Sequence, residues 1–206
     1  SLDNAPIEIV WSDTQSDPGV AKTEAERIAT QEPDISAFIG AWQSAATFAF
    51  APIAEKYSIP VVTQSVVDTL TKQGWKVPFR VGPSGSQGVM PFGDYVKALR
   101  DEKGIEIKTA GLFAEESAGP KAVAIAGKSM AQQMGLDIVK ENYYPTTIMD
   151  VAGEVDAMMR AKPDVIFGES YVPDSILLLR EFEKRDFHGF KCYGGQNGWN
   201  HPGVLA

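Results

Sequence analysis

Few residue combinations in this chain have the types and spacing that covalent chemistry requires. Gly127, Lys128 and Ser129 read like the end of a phosphate-binding loop, in which glycine-rich backbone cradles phosphates and a lysine reaches the terminal groups. The first glycine of that motif falls on Ala122 and the segment lies inside a helical pattern, so the motif is rejected. "GPSGS" at 82–86 falls one residue short of the strained turn that exposes a nucleophilic serine, because Ser86 stands where glycine is needed. His188 and His201 have no spacing that makes a metal set with Cys192, and both read as surface histidines. The adjacent carboxylates Glu115–Glu116 and Asp101–Glu102 point apart and read as solvated surface; Glu169, at a strand end, reads as a rim carboxylate. With no nucleophile–base pair, no metal set and no cofactor loop, the sequence argues against catalysis and assigns no metal or cofactor. Tyr171 and Trp199 carry more information. Each follows a predicted strand, where a large amphipathic aromatic either walls a pocket or packs one lobe on another.

The elements that position these residues alternate regularly. Apolar runs at 7–13, 35–41, 59–64, 77–83, 107–115, 136–144, 164–170 and 190–195 read as strands. Between them, 17–31, 44–57, 90–104, 119–135, 150–163 and 173–187 read as helices. Asp17 is placed to cap the first, and Pro52 to kink or interrupt the second. Strands alternating with helices of this length predict right-handed βαβ units and parallel sheets, hence an α/β fold. The Gly/Ser-rich break at 82–88 divides the chain into a first lobe, 1–84, and a second, 85–206.

Bulk properties narrow the function. The chain of 206 residues carries a net charge of −8 and no Lys/Arg cluster, which disfavours nucleic acid as a partner. No stretch approaches the roughly 20 apolar residues that span a bilayer, so no membrane insertion is expected. The single cysteine excludes an internal disulfide.

In open parallel sheets ligands gather where strands run into helices. The loops of that kind here are 13–17, 41–44, 64–69, 114–119, 169–173 and 195–200. In "FIGAWQSAATF" (38–48), Gly40 permits a tight turn and Ser44 offers a hydroxyl at the mouth of a helix. A ligand carboxylate there would meet free N–H groups and the positive end of the helix dipole. The same hydroxyl could instead cap its own helix. Both readings stand on the segment alone.

Four stretches, "DTQSDPGVAKTEAERI", "FIGAWQSAATFAFAPIAEKYSIPVV", "TKQGWKVPFRVGPSGSQG" and "PDVIFGESYVPDSILLLREFEKRDF", occur in an order that resembles the periplasmic leucine/isoleucine/valine-binding protein family. These are substrate-binding subunits of ABC transporters. The resemblance covers essentially the whole chain. It implies a type I periplasmic binding fold of two Rossmann-like three-layer αβα lobes closing about a hinge on a small solute, with no catalysis. It further implies a periplasmic or extracytoplasmic monomer that hands its ligand to permease subunits. A sensory domain of the same fold is the nearest rival, and a flavodoxin-like enzyme a more distant one. The family has a further strand and helix before Ile7 and continues past Ala206, so the first lobe is expected to be incomplete.

Carried over by position, the resemblance implies a ligand site of Trp42, Gln43, Ser44, Ser65, Val67, Ala118, Tyr171 and Gln196. Ser44 falls where a serine hydroxyl holds the ligand carboxylate, and Ser65 where a backbone carbonyl helps receive an ammonium. Tyr171 matches a pocket tyrosine. Val67 replaces a threonine, Ala118 an aromatic and Gln196 the glutamate that pairs with the ammonium. Cysteines for the family's disulfide, near Ser16 and Gln43, are absent. Without a glutamate at 196 a buried ammonium loses its compensating charge, at a cost of several kcal/mol. The expectation is therefore a carboxylate or amide solute, with a neutral part stacked near Trp42 or Trp199, rather than a plain α-amino acid.

Overall fold

A computed structural model describes residues 6–186, 189 and 191–198, without the side chains of residues 192, 193, 196 and 197. His188, Trp199 and His201 lie outside the described residues.

The chain begins its regular structure with α1 (Pro18–Gln31), and Asp17 caps it as expected, its Oδ1 accepting from the Val20 N–H at 2.8 Å. Strand β1 (Phe38–Ile39) leads into α2 (Ser44–Tyr57), which is followed by β2 (Val61–Thr63), a short 3-10 turn at Asp68–Lys72 and β3 (Pro78–Arg80). Helix α2 runs on through Pro52, so the proline does not interrupt it. Pro52 is exposed, so water can take the carbonyl that the ring leaves without its helical donor. The three strands are parallel in the order β1–β2–β3, with Phe38 opposite Val61 and Val61 opposite Pro78. One face of this sheet packs on α1 and α2 through Phe38, Val61 and Val77 against Ala25, Phe50 and Ala54.

The segment 7–13 forms no strand. It carries no regular structure and pairs with no strand, with Ile7 and Trp11 73% and 83% exposed. A β-strand draws its backbone hydrogen bonds from a neighbour, and no described strand pairs with this one. The sheet face away from the helices likewise presents Ile39 and Phe79 to solvent.

At 82–88 the sequence break becomes the four-residue helix α3 (Gly85–Gly88). Ser84 caps it in a capping box, with the Ser84 N–H donating to Gln87 Oε1 at 3.0 Å. The serine of the abortive nucleophile motif is therefore a helix cap. The chain then follows α4 (Met90–Asp101), β4 (Thr109–Glu115), α5 (Ala118–Gln133), β5 (Asp137–Tyr144), α6 (Ala152–Ala161), β6 (Val165–Ser170), α7 (Val172–Lys184) and β7 (Cys192–Asn197). "GKS" lies within α5, as its period required. The second sheet is parallel throughout, ordered β5–β4–β6–β7.

This sheet is covered on both faces. Phe113, Tyr144 and Ile166 pack on Val155 and Met158 of α6 and on Leu178 and Phe182 of α7. Leu112, Val165 and Phe167 pack on Val96 of α4 and Ala131 of α5. Central strands β4 and β6 are buried almost end to end, as parallel strands between two helical layers must be. At the amino ends of these strands, Asp164 ties β6 to its neighbours β4 and β7. Burial opposes its charge, but the Lys108 N–H, the Lys191 ammonium and both the N–H and hydroxyl of Thr109 hold its carboxyl down at about 2. Ligand chemistry belongs at the opposite, carboxyl ends.

Candidate functional site

Gly40 ends β1 with φ +122°, a conformation that only glycine adopts without strain, and it turns the chain toward α2. The following carbonyl, that of Ala41, accepts from the hydroxyls of both Thr47 and Thr63 at 2.9 Å, which fastens the β1–α2 loop to the end of β2. Ser44 is buried, with 2% exposure. It is the first residue inside α2 and does not cap it; its Oγ accepts from the Val66 N–H at 3.3 Å, across to the β2 loop. Gln43 holds the cap position and makes no side-chain cap bond either. The first turn of α2 is thus left without a side-chain acceptor of its own.

Ser65 is fully buried, and its Oγ has no hydrogen-bond partner among the described residues. Val67 contributes its carbonyl to the Arg80 guanidinium at 2.9 Å, so that oxygen is committed to the fold.

Tyr171 caps α7 from the end of β6, opposite these loops. Its ring meets that of Trp42 edge-on with centroids 5.7 Å apart, although the indole is half-exposed. Gly119, in the first turn of α5, lies where both halves meet. A methyl group placed on it would come within 3.3 Å of Ser44 Oγ and 3.7 Å of Tyr171 Oη. The closeness of these two hydroxyls at a residue without a side chain is the central geometric fact of the site. Ala118 beside it is exposed.

Behind Tyr171 lies a buried acidic group that the sequence reading misplaced. Glu115 and Glu169 are each 2% exposed, against the expectation of solvated surface and rim. Both end central strands whose two faces are covered, so the strand's last residues are buried with the rest. Glu115 Oε2 accepts from Ser117 Oγ at 2.9 Å; burial pushes its carboxyl up, and Ser117 offsets part of that. Asp174, in the first turn of α7 and 8% exposed, is pushed up to about 6 by burial and then by the charge of Glu115. Burial likewise raises Tyr171 to about 12, eased by Ser117 and reinforced by Glu115, Glu169 and Asp174. Tyr144 pairs with Glu115 in the β4–β5 register, and burial raises its hydroxyl strongly.

Of the residues expected in the site, the structure brings Trp42, Gln43, Ser44 and Ser65 to the carboxyl ends of the first sheet and Ala118 and Tyr171 to those of the second. Gln196 lies in β7 opposite Glu169, with its side chain outside the description. The loop at 13–17 bonds within itself, Asp17 N to Thr14 O and Gln15 N to Asp13 Oδ1, and takes no part. Ser117, Gly119, Tyr144 and Asp174 were missed. A signal for the buried Glu115 was present in the near-continuous apolar run of β4, which marks a strand covered on both faces. Among the described residues no group of three His, Cys, Asp or Glu could hold a metal ion, and no helix is long and apolar enough to cross a membrane.

A family model for periplasmic binding proteins matches residues 2–202. Leu/Ile/Val-binding protein homolog 8 of Brucella abortus is 26% identical over 173 residues, covering 81% of this chain and 42% of that protein. Homolog 7 from the same organism is 24% identical over 184 residues, or 86% of this chain and 45% of that protein. The chain thus spans less than half the length of these curated relatives. Among solved structures, the leucine binding protein LivK of Thermotoga maritima superposes with a TM-score of 0.84 at 24% identity, over 98% of this chain and 55% of that one. A solute binding protein of an ABC transporter from Rhodopseudomonas palustris, in complex with 3,4-dihydroxy benzoic acid, superposes with a TM-score of 0.78 at 20% identity, over 91% of this chain and 50% of that one. At such identity the likeness establishes the fold, a type I periplasmic binding architecture of which this chain carries a part. These relatives and neighbours are named as Leu/Ile/Val-, leucine- and solute-binding proteins.

Proposed function

The chain belongs to the periplasmic binding protein family, and we propose that it forms part of the solute-binding subunit of an ABC importer, working outside the cytoplasm as a monomer that delivers its ligand to permease subunits. The ligand is a small carboxylate or amide held between the lobes. The lobes divide near 84–85 and close about the 82–88 segment, so that contacts from both stabilise the closed state.

The observation that carries this reading is the approach of Ser44 Oγ and Tyr171 Oη, from different sheets, to the same bare Gly119. The roles follow from chemistry. Ser44, the open first turn of α2 and the unpartnered Ser65 hydroxyl present donors and a positive helix end to an anion or carbonyl. Trp42 and Gln43 border that point from the first lobe, and Val67 supplies an apolar wall in place of a hydroxyl. From the second lobe Tyr171 closes over the ligand, with the space beside Ala118 and Gly119 left for its body; Gln196 takes a polar, uncharged part. The complex of the Rhodopseudomonas palustris neighbour with a hydroxylated benzoic acid supports a carboxylate as the anchoring group.

The test is isothermal titration of the full-length protein against benzoate, 4-hydroxybenzoate, leucine and a short aliphatic amide, repeated with Ser44→Ala. One of these solutes should bind at a single site, and Ser44→Ala should weaken it about tenfold or more, as loss of a hydrogen bond to a charged group does. Equal affinity in the variant, or no binding in the panel, would contradict the proposal.

A further inference from the structure

Glu115 and Asp174 occupy one buried corner of the second lobe with no cation beside them. Among the described residues neither forms an ion pair with a lysine or arginine, and the charge of Glu115 adds to burial in opposing the ionisation of Asp174. Buried carboxylates are ordinarily paired or coordinated. A second observation points the same way. Tyr144 is 1% exposed, and its hydroxyl has no hydrogen-bond partner among the described residues. It stands within the electrostatic reach of Asp174, Glu115 and Glu169, and the Ser170 hydroxyl is close enough to ease its ionisation. Ser170 and Ser175 bond each other at 2.7 Å and so do not discharge the carboxylates.

This corner connects to the interlobe site through a short series of hydroxyls. Ser44 Oγ and Tyr171 Oη approach each other at Gly119, Ser117 lies beside Tyr171, and Ser117 Oγ donates to Glu115. The acidic corner is therefore set back from the anion-binding end of α2 by the thickness of the Tyr171–Ser117 pair. The absence of a glutamate at 196 does not leave the second lobe without negative charge; the charge sits deeper, on β4 and α7.

We propose that Glu115, Asp174 and the Tyr144 hydroxyl form a receiving site for a cationic nitrogen of the ligand, an amine, amidine or guanidine separated by a spacer from the carboxylate held at Ser44. This rests on the interlobe reading above and refines its ligand class. An α-ammonium lies next to its own carboxylate and cannot span Tyr171 and Ser117, whereas a terminal cation on a short chain can. Closure over such a ligand supplies the counter-charge that the buried carboxylates lack, and the cation in turn has Tyr144 Oη as a neutral acceptor.

The test compares matched probes on the full-length protein by isothermal titration: 5-aminopentanoate, pentanoate and leucine. The terminal ammonium should strengthen binding over pentanoate by about tenfold or more, with leucine weaker than 5-aminopentanoate. Glu115→Gln should erase that advantage, bringing 5-aminopentanoate and pentanoate to within about twofold of each other. Should Glu115→Gln fail to fold by circular dichroism, Tyr144→Phe provides the second variant and should reduce the same ratio. Equal binding of 5-aminopentanoate and pentanoate, or an ammonium advantage that survives Glu115→Gln or, in its place, Tyr144→Phe, overturns the cation site and leaves the interlobe reading intact. Failure of every solute in this and the preceding panel overturns both.

Discussion

Asp174 carries its charge against its surroundings. Burial and Glu115 hold its folded value near 6, whereas the unfolded chain ionises near the ordinary 3.8. Between those values the native state holds a proton that the unfolded state has released. The contribution of Asp174 is thus fully present below the unfolded value and is lost as pH rises through about 6. Asp174→Asn removes this penalty, so it should raise the ligand-free melting temperature at pH 7.5 by several degrees, for roughly 1–3 kcal/mol, and change it little at pH 4. Scanning calorimetry at the two pH values measures the difference; an equal shift at both would show that the carboxylate is not strained. If Asp174 receives a cation, the same variant trades binding for stability, a common balance at functional sites. At this scale the sequence was only partly legible. Ser44 and Tyr171 announced themselves by following strands, but Glu115 was hidden because its adjacent partner Glu116 is exposed while it is buried. Which of two neighbouring carboxylates turns inward depends on strand register and on the layer above, and neither is written in the pair itself.

The elements were read more fully than the residues because alternation of apolar and amphipathic runs is a local signal. All six expected helices formed, and Asp17 and Ser84 cap theirs through side chains that the local sequence placed there. The failure at 7–13 is instructive: its apolar pattern is that of a strand, yet strand formation is a property of pairs, and no described partner adjoins it. The junction of β7 with α7 was not legible, since it depends on two distant segments meeting. Gly198 lies against the start of α7, where a Cβ would come within 2.3 Å of Ser175 Oγ and 2.4 Å of the Tyr171 backbone. Backbone cannot yield as a side-chain tip can. Gly198→Ala should therefore cost about 1–3 kcal/mol in denaturant unfolding and, by displacing Tyr171, weaken solute binding. Unchanged stability and binding would mean that β7 and α7 do not meet as described.

The whole molecule is a pair of parallel sheets whose strand ends face one another, joined by the segment around α3. The first sheet is covered on one face among the described residues, the second on both. Ile39 and Phe79 on the exposed sheet face, and Ile7 and Trp11 in the unpaired segment before α1, are large apolar residues left open to solvent. The alternation of strands and helices made two parallel sheets legible, but not the identity of a ligand, because that depends on which buried groups distant segments bring together. In the proposed binding mode the solute lies between the lobes at Ser44 and Tyr171. A crystal structure of the full-length protein with the solute selected by titration tests it most directly. The ligand's carboxylate or carbonyl should lie within hydrogen-bond distance of Ser44 Oγ at the start of α2, with Tyr171 in contact from the opposite lobe. A ligand seated within one lobe alone, or away from both residues, would contradict it.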